Sequence, residues 1–342
     1  MAATRAISRL TDVALLAEVS PATVSRVLNG APSVGAGLRA RVDNAVATLD
    51  YRPHRLARGL RRGAAATIGL IVHDVQNPFF TVVVRGVEQV AVQHDLLVVL
   101  CNSDQDPARE QMFVEALIAE RVAGVVLAST DPCGAALQAL LSARIPVVLL
   151  DRRSGEPDMV DSVLVDNFAG GRAAAEHLVG LGHRRVAAIS GPLSVSVATE
   201  RLDGLRAGLE AAGLQLDPDL LRLGDFKQPS GATQMQSLLE RQSDRMDAVF
   251  VANDLMTLGA LAAIHAAGLD IPRDLSVVGF DDMPWAASLN PPLTTVAQPA
   301  VEMGSIACRL LLERLGAERH APPRNVLLQP RLVIRASTAQ RA

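Results

Sequence analysis

The stretch LTDVALLAEVSPATVSRVLNG, residues 10–30, predicts two short helices joined by a tight turn. Ser20 is a favourable N-cap for the second helix, Pro21 suits its first position, and Asn29-Gly30 ends it. This pattern is typical of a helix-turn-helix, whose second helix can enter the major groove of DNA; an ordinary helical hairpin is the alternative. The apolar residues that recur at helical spacing are Val13, Leu16 and Ala17, then Val24, Val27 and Leu28.

The charge distribution favours a DNA-binding role for this part of the chain. The 342 residues have a formal net charge of −3. Residues 1–63, however, hold ten arginines against four acidic residues, a charge of +6, and residues 64–342 therefore carry −9. A small basic head on an acidic body indicates a polyanion-binding module joined to a second unit. A basic surface that only meets solvent is the alternative.

Two further segments follow the first two helices. Residues 38–49 predict a third helix, and YRPHRLARGLRRG, residues 51–63, predicts a short basic one. Gly59 weakens this last helix by up to about 1 kcal/mol relative to alanine, so we expect it to form on its partner. The apolar stripe of the third helix is Leu38, Val42, Ala45, Val46 and Leu49.

From Thr67 onward, short apolar strands alternate with amphipathic helices, which predicts parallel sheets covered on both faces. The pattern restarts after Asp151 with SVLV, residues 162–165, so we expect two lobes divided there and a cleft between them. Ligands of such sheets bind beyond the carboxyl ends of the strands. The predicted strands are residues 68–72, 96–102, 122–129, 145–151, 162–165, 186–190, 248–254 and 275–282.

Polar side chains follow many of these strands. Carboxylates and amides at strand ends suit a hydroxyl-rich small molecule, because they accept and donate several hydrogen bonds at once. Capping of the following helices is the alternative, and it is favoured for Asp254 and Asp282. The polar groups are His73-Asp74, Asn102-Ser103-Asp104, Ser129-Thr130, Asp166-Asn167, Asn253-Asp254 and Asp281-Asp282.

Both parts of the chain resemble one family. The pattern V-S-x-x-T-V-S-R-V-L-N at residues 19–29, followed by residues 51–63, is similar to the head and hinge of the lactose-repressor (LacI/GalR) family of bacterial transcription regulators. The body is similar to the effector module of that family, which resembles type I periplasmic sugar-binding proteins. The resemblance implies a small all-α helix-turn-helix head plus an α/β two-lobed effector domain. The matching body motifs include NPFF (77–80), VANDLMTLGAL (251–261), SVVGFDD (276–282) and LLQPRLVIRAST (327–338).

The head is expected to bind DNA through its second helix and its hinge. Pro21, Ala22 and Arg26 would face bases, while neighbouring hydroxyls meet phosphates. Leu60 matches a family leucine that wedges into a base step in the minor groove. The expected DNA-binding residues are Ser20, Pro21, Ala22, Thr23, Ser25, Arg26, Asn29, Tyr51, Arg55, Ala57, Leu60 and Arg61.

Three head residues depart from the family pattern. Glu18 stands where the family usually has Gly or Asn, and Asp50 replaces a common Gly before Tyr51, so we expect each to carry a modest strain in a left-handed backbone. Gly35 replaces a serine cap and is a weaker start for the third helix.

The resemblance also implies an effector pocket of aromatic and hydrogen-bonding residues, which suits a sugar or a sugar derivative. Val195 and Val197 replace polar contacts of purine-binding members, which disfavours a purine. His73 stands where the family often has Pro, and both a ligand contact and a structural role are open for it. The expected effector-binding residues are Asp74, Phe79, Phe80, Asp151, Arg201, Phe226, Asn253 and Asp281.

Other classes of protein lack support in the sequence. It has no G-x-S-x-G, Walker, H-E-x-x-H or initial G-x-G-x-x-G motif, and its seven histidines lack metal-ligand spacing. We therefore expect no enzyme activity, no cofactor and no metal. A periplasmic binding protein has no use for the head, and the sequence shows neither a signal peptide nor a membrane span. We expect a cytoplasmic repressor that binds a palindromic double-stranded operator as a homodimer. The expected domains are residues 1–50 (head), 51–66 (hinge helix and linker) and 67–342 (effector binding and dimerisation).

Overall fold

The computed structural model describes the head and the body as two compact units, divided between Ala66 and Thr67. The predicted hinge helix lies outside the described residues. Among the described residues, no helix has the length and apolar character that crossing a membrane requires. The described residues are 10–28, 31, 34–51, 67–131, 134–152, 160–240, 246–316 and 321–341.

The described part of the head contains three helices, α1 (Leu10–Leu16), α2 (Pro21–Leu28) and α3 (Ala36–Thr48). The backbone N–H of Thr23 donates to Ser20 Oγ at 3.2 Å, which confirms the predicted cap of α2. Two predicted core positions are wrong, because Leu16 is 50% exposed and Leu38 is 38% exposed. The buried core is smaller and consists of Val13, Ala14, Ala17, Val24, Val27, Val42, Ala45 and Tyr51.

The three departures from the family pattern have the expected backbone consequences. Glu18 and Asp50 have φ of 52° and 46°, in the left-handed region that favours glycine. Gly35 caps α3 without a side-chain hydrogen bond. The turns that orient the head helices therefore carry local strain that glycine would relieve.

The first lobe of the body is built on a six-stranded parallel sheet in the order β11-β5-β4-β3-β1-β2. Apart from the edges, its strands are buried on both faces, as their continuous apolar sequences predict. Its strands are β1 (Thr67–Val72), β2 (Leu97–Asn102), β3 (Val125–Leu127), β4 (Val147–Leu150), β5 (Asp161–Val165) and β11 (Asn325–Leu328). Its helices are α4 (Pro78–Gln93), α5 (Pro107–Ala119), α6 (Ala135–Ser142) and α11 (Ala300–Leu315).

The second lobe has a sheet in the order β12-β10-β9-β8-β6-β7, parallel except for β12. Its strands are β6 (Val186–Ser190), β7 (Leu221–Leu223), β8 (Ala248–Val251), β9 (Ser276–Phe280), β10 (Thr294–Ala297) and β12 (Arg331–Val333). Its helices are α7 (Asn167–Gly180), α8 (Ser196–Glu210), α9 (Gln228–Leu239) and α10 (Asp254–Ala266), with 3₁₀ turns at Pro218–Leu220 and Pro284–Ser288.

The predicted division of the lobes at Asp151 is wrong. The SVLV segment forms β5, which pairs in parallel with β4 and so belongs to the first sheet. The chain then enters the second lobe at α7, returns to the first at α11, and crosses again between β11 and β12. Each lobe therefore contains segments that are distant in sequence. Two helices, α9 (residues 228–239) and α11 (residues 300–315), were not predicted from the sequence.

Glycines let α7 and α8 touch backbone to backbone. A Cβ on Gly171 of α7 would lie 2.0 Å from the carbonyl oxygen of Arg201 on α8. A Cβ on Gly204 of α8 would lie 2.0 Å from the carbonyl oxygen of Phe168 on α7. Real carbon atoms do not approach oxygen so closely, so these positions fix α8, and with it Arg201, against α7. Similar contacts join α9 to α10 and α4 to α11 at Gly231, Gly259, Gly86 and Gly304.

Gly171→Ala should destabilise the body, because the added methyl group forces α8 away from α7. Overpacking of this kind costs about 1–3 kcal/mol in the free energy of unfolding. Gly180→Ala is a matched control on the same helix, since nothing lies within 4 Å of its added carbon. Thermal unfolding midpoints test this: Gly171→Ala should melt well below wild type and Gly180→Ala should not. Equal midpoints for both variants would contradict the close approach.

Candidate functional site

A cleft of about 460 Å³ lies between the two lobes, at the carboxyl ends of their strands. The structure brings all eight sequence-predicted effector residues to its walls: Asp74, Phe79, Phe80, Asp151, Arg201, Phe226, Asn253 and Asp281. The contact of these residues with an effector remains a prediction. The sequence analysis left six other lining residues out of the expected set: His73, Asn77, Gln105, Arg152, Val197 and Gln298.

The ends of the parallel strands explain why distant residues meet here. Asp74, Asp151, Asn253 and Asp281 each follow a strand, β1, β4, β8 and β9 respectively, by one or two residues. Asp151, Phe226 and Asp281 have φ of 71°, 66° and 74°, a left-handed conformation that is uncommon for residues other than glycine. Strained residues of this kind cluster at binding sites, where the surrounding fold holds them in place.

Arg201 occupies the centre of the second-lobe wall, with only 4% of its surface exposed. Its Nε donates to Asn167 Oδ1 at 2.8 Å, and its Nη1 donates to the carbonyl oxygen of Ala252 at 2.7 Å. The guanidinium carbon lies 3.7 Å from the centre of the Phe280 ring, a cation–π contact. Burial lowers the pKa of Arg201, and the negative charge of Asp281 opposes that shift most strongly. The guanidinium is thus held rigidly in the cleft.

Two carboxyl groups lie near Arg201 at the ends of β8 and β9. Asp281 accepts a hydrogen bond from Gln298 Nε2 at 2.5 Å, and burial raises the pKa of its carboxyl group. Burial, followed by repulsion from Asp281, raises the pKa of Asp254 to about 8. Asp254 is therefore protonated at neutral pH, which lowers the negative charge beside Asp281.

The other strand-end residues divide between capping and ion pairing. Asn253 caps α10 by accepting from the N–H of Met256 at 3.0 Å, and Asp166 caps α7. The favoured capping role of Asp282 is wrong, because its carboxylate binds the guanidinium of Arg335 through two hydrogen bonds of 2.6 and 2.9 Å. This ion pair fixes the C-terminal segment to the end of β9.

The first-lobe wall is aromatic. The rings of Phe79 and Phe80, at the start of α4, are 5.0 Å apart and nearly perpendicular. Asn77 caps this helix by accepting from the N–H of Phe79 at 2.8 Å. The NPFF sequence therefore places two rings at the cleft, because the cap fixes where the helix begins.

Lys227, which is not among the residues predicted from the sequence, joins the two lobes beside the cleft. Its Nζ lies 2.7 Å from Asp74 Oδ2 and 2.8 Å from Asp104 Oδ1, both in the first lobe. Partial burial of the ammonium group acts to lower its pKa. The hydrogen bonds and negative charges of Asp104 and Asp74 outweigh this effect, so the pKa of Lys227 is raised. Lys227 is the only lysine of the sequence and follows Phe226, which is the one signal that distinguishes it. Two ion pairs thus favour the closed arrangement of the lobes.

Lys227→Met should shift the body toward open lobes. Partly exposed ion pairs contribute about 0.2–1 kcal/mol each, so the closed-to-open ratio should fall by about fivefold. Small-angle X-ray scattering should then give a larger radius of gyration for residues 67–342 of the variant. Lys227→Arg, which keeps the charge, is the matched control and should scatter as the wild type does. A variant as compact as the wild type would contradict the bridging role.

The head presents part of its predicted DNA-binding set on one surface. Ser20, Pro21, Ala22 and Arg26 are exposed on or beside α2, while Thr23 and Ser25 are half-buried. Tyr51 is only 7% exposed and packs in the head core, which favours a structural role for its ring. The remaining predicted residues lie outside the described part of the chain: Asn29, Arg55, Ala57, Leu60 and Arg61.

Comparison with known proteins identifies the family. Residues 9–54 match the model of the bacterial regulatory proteins of the lacI family, and residues 175–338 match the periplasmic binding protein-like domain. The ribose operon repressor of Escherichia coli (strain K12) is 36% identical over 314 residues, which cover 90% of this chain and 93% of that protein. The chain belongs to the lacI family of bacterial regulatory proteins.

Three solved structures extend the similarity. The regulator CelR in complex with cellobiose is 36% identical with a TM-score of 0.74, covering 96% of this chain and 99% of that one. A lacI-family regulator from Enterococcus faecium with bound ribose is 29% identical with a TM-score of 0.73, covering 81% and 100%. The lac repressor dimer bound to operator and the anti-inducer ONPF is 32% identical with a TM-score of 0.83, covering 97% and 99%. Each of these relatives is named as a regulator or repressor of transcription.

Proposed function

We propose that this chain is a transcriptional repressor whose affinity for a palindromic operator is controlled by a sugar bound between the lobes of its body. One observation carries the proposal: a helix-turn-helix head and a polar, aromatic-walled cleft centred on Arg201 occur in the same chain. Residues 1–50 form the DNA-binding domain of this proposal, residues 51–66 its hinge, and residues 67–342 its effector-binding and dimerisation domain.

The chemistry of the cleft supports a sugar. Phe79, Phe80 and Phe226 offer ring faces and edges for the C–H groups of a sugar ring. Asp151, Asp281 and Asn253 offer acceptors and donors for its hydroxyl groups, and Arg201 adds a fixed donor. The relatives with bound ribose and cellobiose are consistent with this class of effector. D-ribose and cellobiose are therefore the first sugars to test.

The head supports sequence-specific binding to DNA. Arg26 is exposed on α2 and can make bidentate hydrogen bonds to a guanine in the major groove. Two heads are needed to read a two-fold symmetric operator, so the active form is a homodimer, as in the operator-bound lac repressor structure. Leu60, Arg55, Ala57 and Arg61 of the hinge are the residues that would engage the minor groove at the centre of the operator.

Control of operator affinity follows from two arrangements of the lobes. A sugar that contacts both walls of the cleft binds the closed arrangement more tightly and increases its population. The chain binds the operator more tightly in one of the two arrangements of the lobes. Binding of the sugar therefore changes the affinity for the operator, and binding of the operator changes the affinity for the sugar. The proposed role of the chain is binding rather than catalysis. A repressor of this kind acts where its DNA target lies, in the bacterial cytoplasm.

Two substitutions should separate operator binding from sugar response. Arg26→Ala should weaken binding to a palindromic duplex, selected from a random pool by the intact chain, by about 10- to 100-fold, because one base contact contributes about 1–3 kcal/mol. It should leave the thermal stabilisation by D-ribose or cellobiose unchanged. Arg201→Ala should retain basal operator affinity and lose the effect of the sugar. Fluorescence anisotropy with a labelled duplex measures operator affinity with and without the sugar. Thermal unfolding measures the stabilisation by the sugar.

Two results would overturn the proposal. One is the failure of the intact chain to enrich any duplex over random sequence at moderate salt. The other is a sugar effect on operator affinity that survives Arg201→Ala, which would place the effector outside this cleft.

A further inference from the structure

His73 is a polar side chain that is buried in the wall of the cleft. It follows β1, lines the cleft and is only 2% exposed. Among the described residues, neither Nδ1 nor Nε2 has a hydrogen-bond partner. An imidazole always carries at least one N–H donor, and a neutral one also carries an acceptor. Buried polar groups are almost always paired with protein or with ordered water, so these two atoms call for a partner, either a water molecule or a group of a bound ligand.

The surroundings of His73 define where that partner sits. The ring packs edge to face against Phe80, with 5.4 Å between the ring centres, which fixes its orientation. Its Nε2 lies 3.8 Å from Asp151 Oδ2, too far for a direct hydrogen bond. An oxygen atom placed between them can lie at about 2.8 Å from both, an ordinary hydrogen-bond length. The two side chains therefore bracket a position for one hydroxyl group.

Unpaired buried atoms recur around this position. Arg152 Nε in the first lobe and Gln298 Oε1 in the second lobe are also buried, and neither has a hydrogen-bond partner among the described residues. Both residues line the same cleft. Arg152 can only donate and Gln298 Oε1 can only accept, so a ligand must offer both functions. Hydroxyl groups do so, and a molecule with several of them satisfies both lobes at once.

We propose that His73 is a specificity-determining residue that, together with Asp151, binds one hydroxyl group of the sugar. The inference rests on the proposed function, since it assigns a contact to the effector of that same cleft. The hydroxyl accepts from Nε2–H and donates to the Asp151 carboxyl group. Sugars that lack this hydroxyl leave Nε2 buried and unpaired, and they are rejected for that reason.

The protonation states of the two side chains agree with this contact. Burial, followed by the positive charge of Arg152, lowers the pKa of His73 well below its usual value. Burial raises the pKa of Asp151, while the positive charges of Arg152 and Arg201 oppose that rise. The imidazole is thus neutral at physiological pH, and it contributes a hydrogen bond without adding a charge to the cleft.

Calorimetric titration of the full chain with D-ribose, cellobiose and the monodeoxy derivatives of D-ribose tests the proposal. In the wild type, removal of one particular hydroxyl of D-ribose should weaken binding by about tenfold or more. In His73→Phe, which keeps the ring against Phe80, D-ribose itself should bind about tenfold more weakly. The derivative that lacks that hydroxyl should then bind within about twofold of D-ribose, because the contact is already lost.

Conservative variants place the contact on one nitrogen. His73→Gln puts an amide near the position of Nε2 and should restore discrimination against the missing hydroxyl. His73→Asn puts its amide near Nδ1 and should not restore it. The two amides also test the proposal if the phenylalanine variant does not fold. His177→Phe is the control, since His177 lies outside the cleft and bonds to Thr338 through Nε2 at 2.9 Å. Its sugar affinities should equal those of the wild type.

The outcomes separate this inference from the proposed function. If the wild type binds D-ribose and His73→Phe or His73→Asn keeps the same ranking of derivatives, the role of His73 is overturned and the sugar effector stands. If the wild type binds neither D-ribose nor cellobiose nor any derivative, the proposal of a sugar effector is overturned. The proposed contact between His73 and that sugar is then overturned as well.

Discussion

The buried positive charge of Arg201 is the constraint around which the cleft is organised. A guanidinium with 4% exposure destabilises a fold unless hydrogen bonds and opposite charge surround it. Asn167, the carbonyl oxygen of Ala252 and the Phe280 ring supply that environment, and Asp281 supplies the charge. These groups come from three different elements of the second lobe. Gly171 and Gly204 let α7 and α8 touch, which brings Asn167 against Arg201. The packing of α7 against α8 therefore also positions polar side chains of the cleft.

The cleft combines this rigid wall with a weaker contact between the two lobes. Arg201 and its partners belong to the second lobe alone, so they persist whether the lobes are open or closed. Lys227 instead connects the lobes through two ion pairs, one to the buried Asp74 and one to the exposed Asp104. Lys227 itself is partly exposed, so salt and water can weaken these pairs. A ligand that spans both walls has to contribute only modest binding energy to change the balance. This division between a fixed site and a weak bridge suits a regulator whose two arrangements have similar stability.

The sequence predicts much of the cleft but little of its connectivity. The pocket residues around Phe79, Arg201 and Asp281 were predicted because these positions match the family, and the strand ends and helix starts that carry them lie at the cleft. The division of the lobes was mispredicted, since the crossings near residues 166, 298 and 329 are too short to leave a signal in composition. Lys227 and Gln298 were missed for a different reason: their partners are distant in sequence and meet them only in the folded body. Likewise, helical periodicity placed Leu16 and Leu38 inside a core that is too small to cover them.

The central claim is that sugar and operator binding are linked through the body, and titration of D-ribose into the intact chain tests it most directly. The measurement is made twice, once with the free protein and once with the protein saturated by the selected operator duplex. Linkage is reciprocal: the operator must change the affinity for the sugar by the same factor by which the sugar changes the affinity for the operator. We predict a change of about 5- to 150-fold, the usual range of such coupling. Equal sugar affinities in the two titrations would contradict the account.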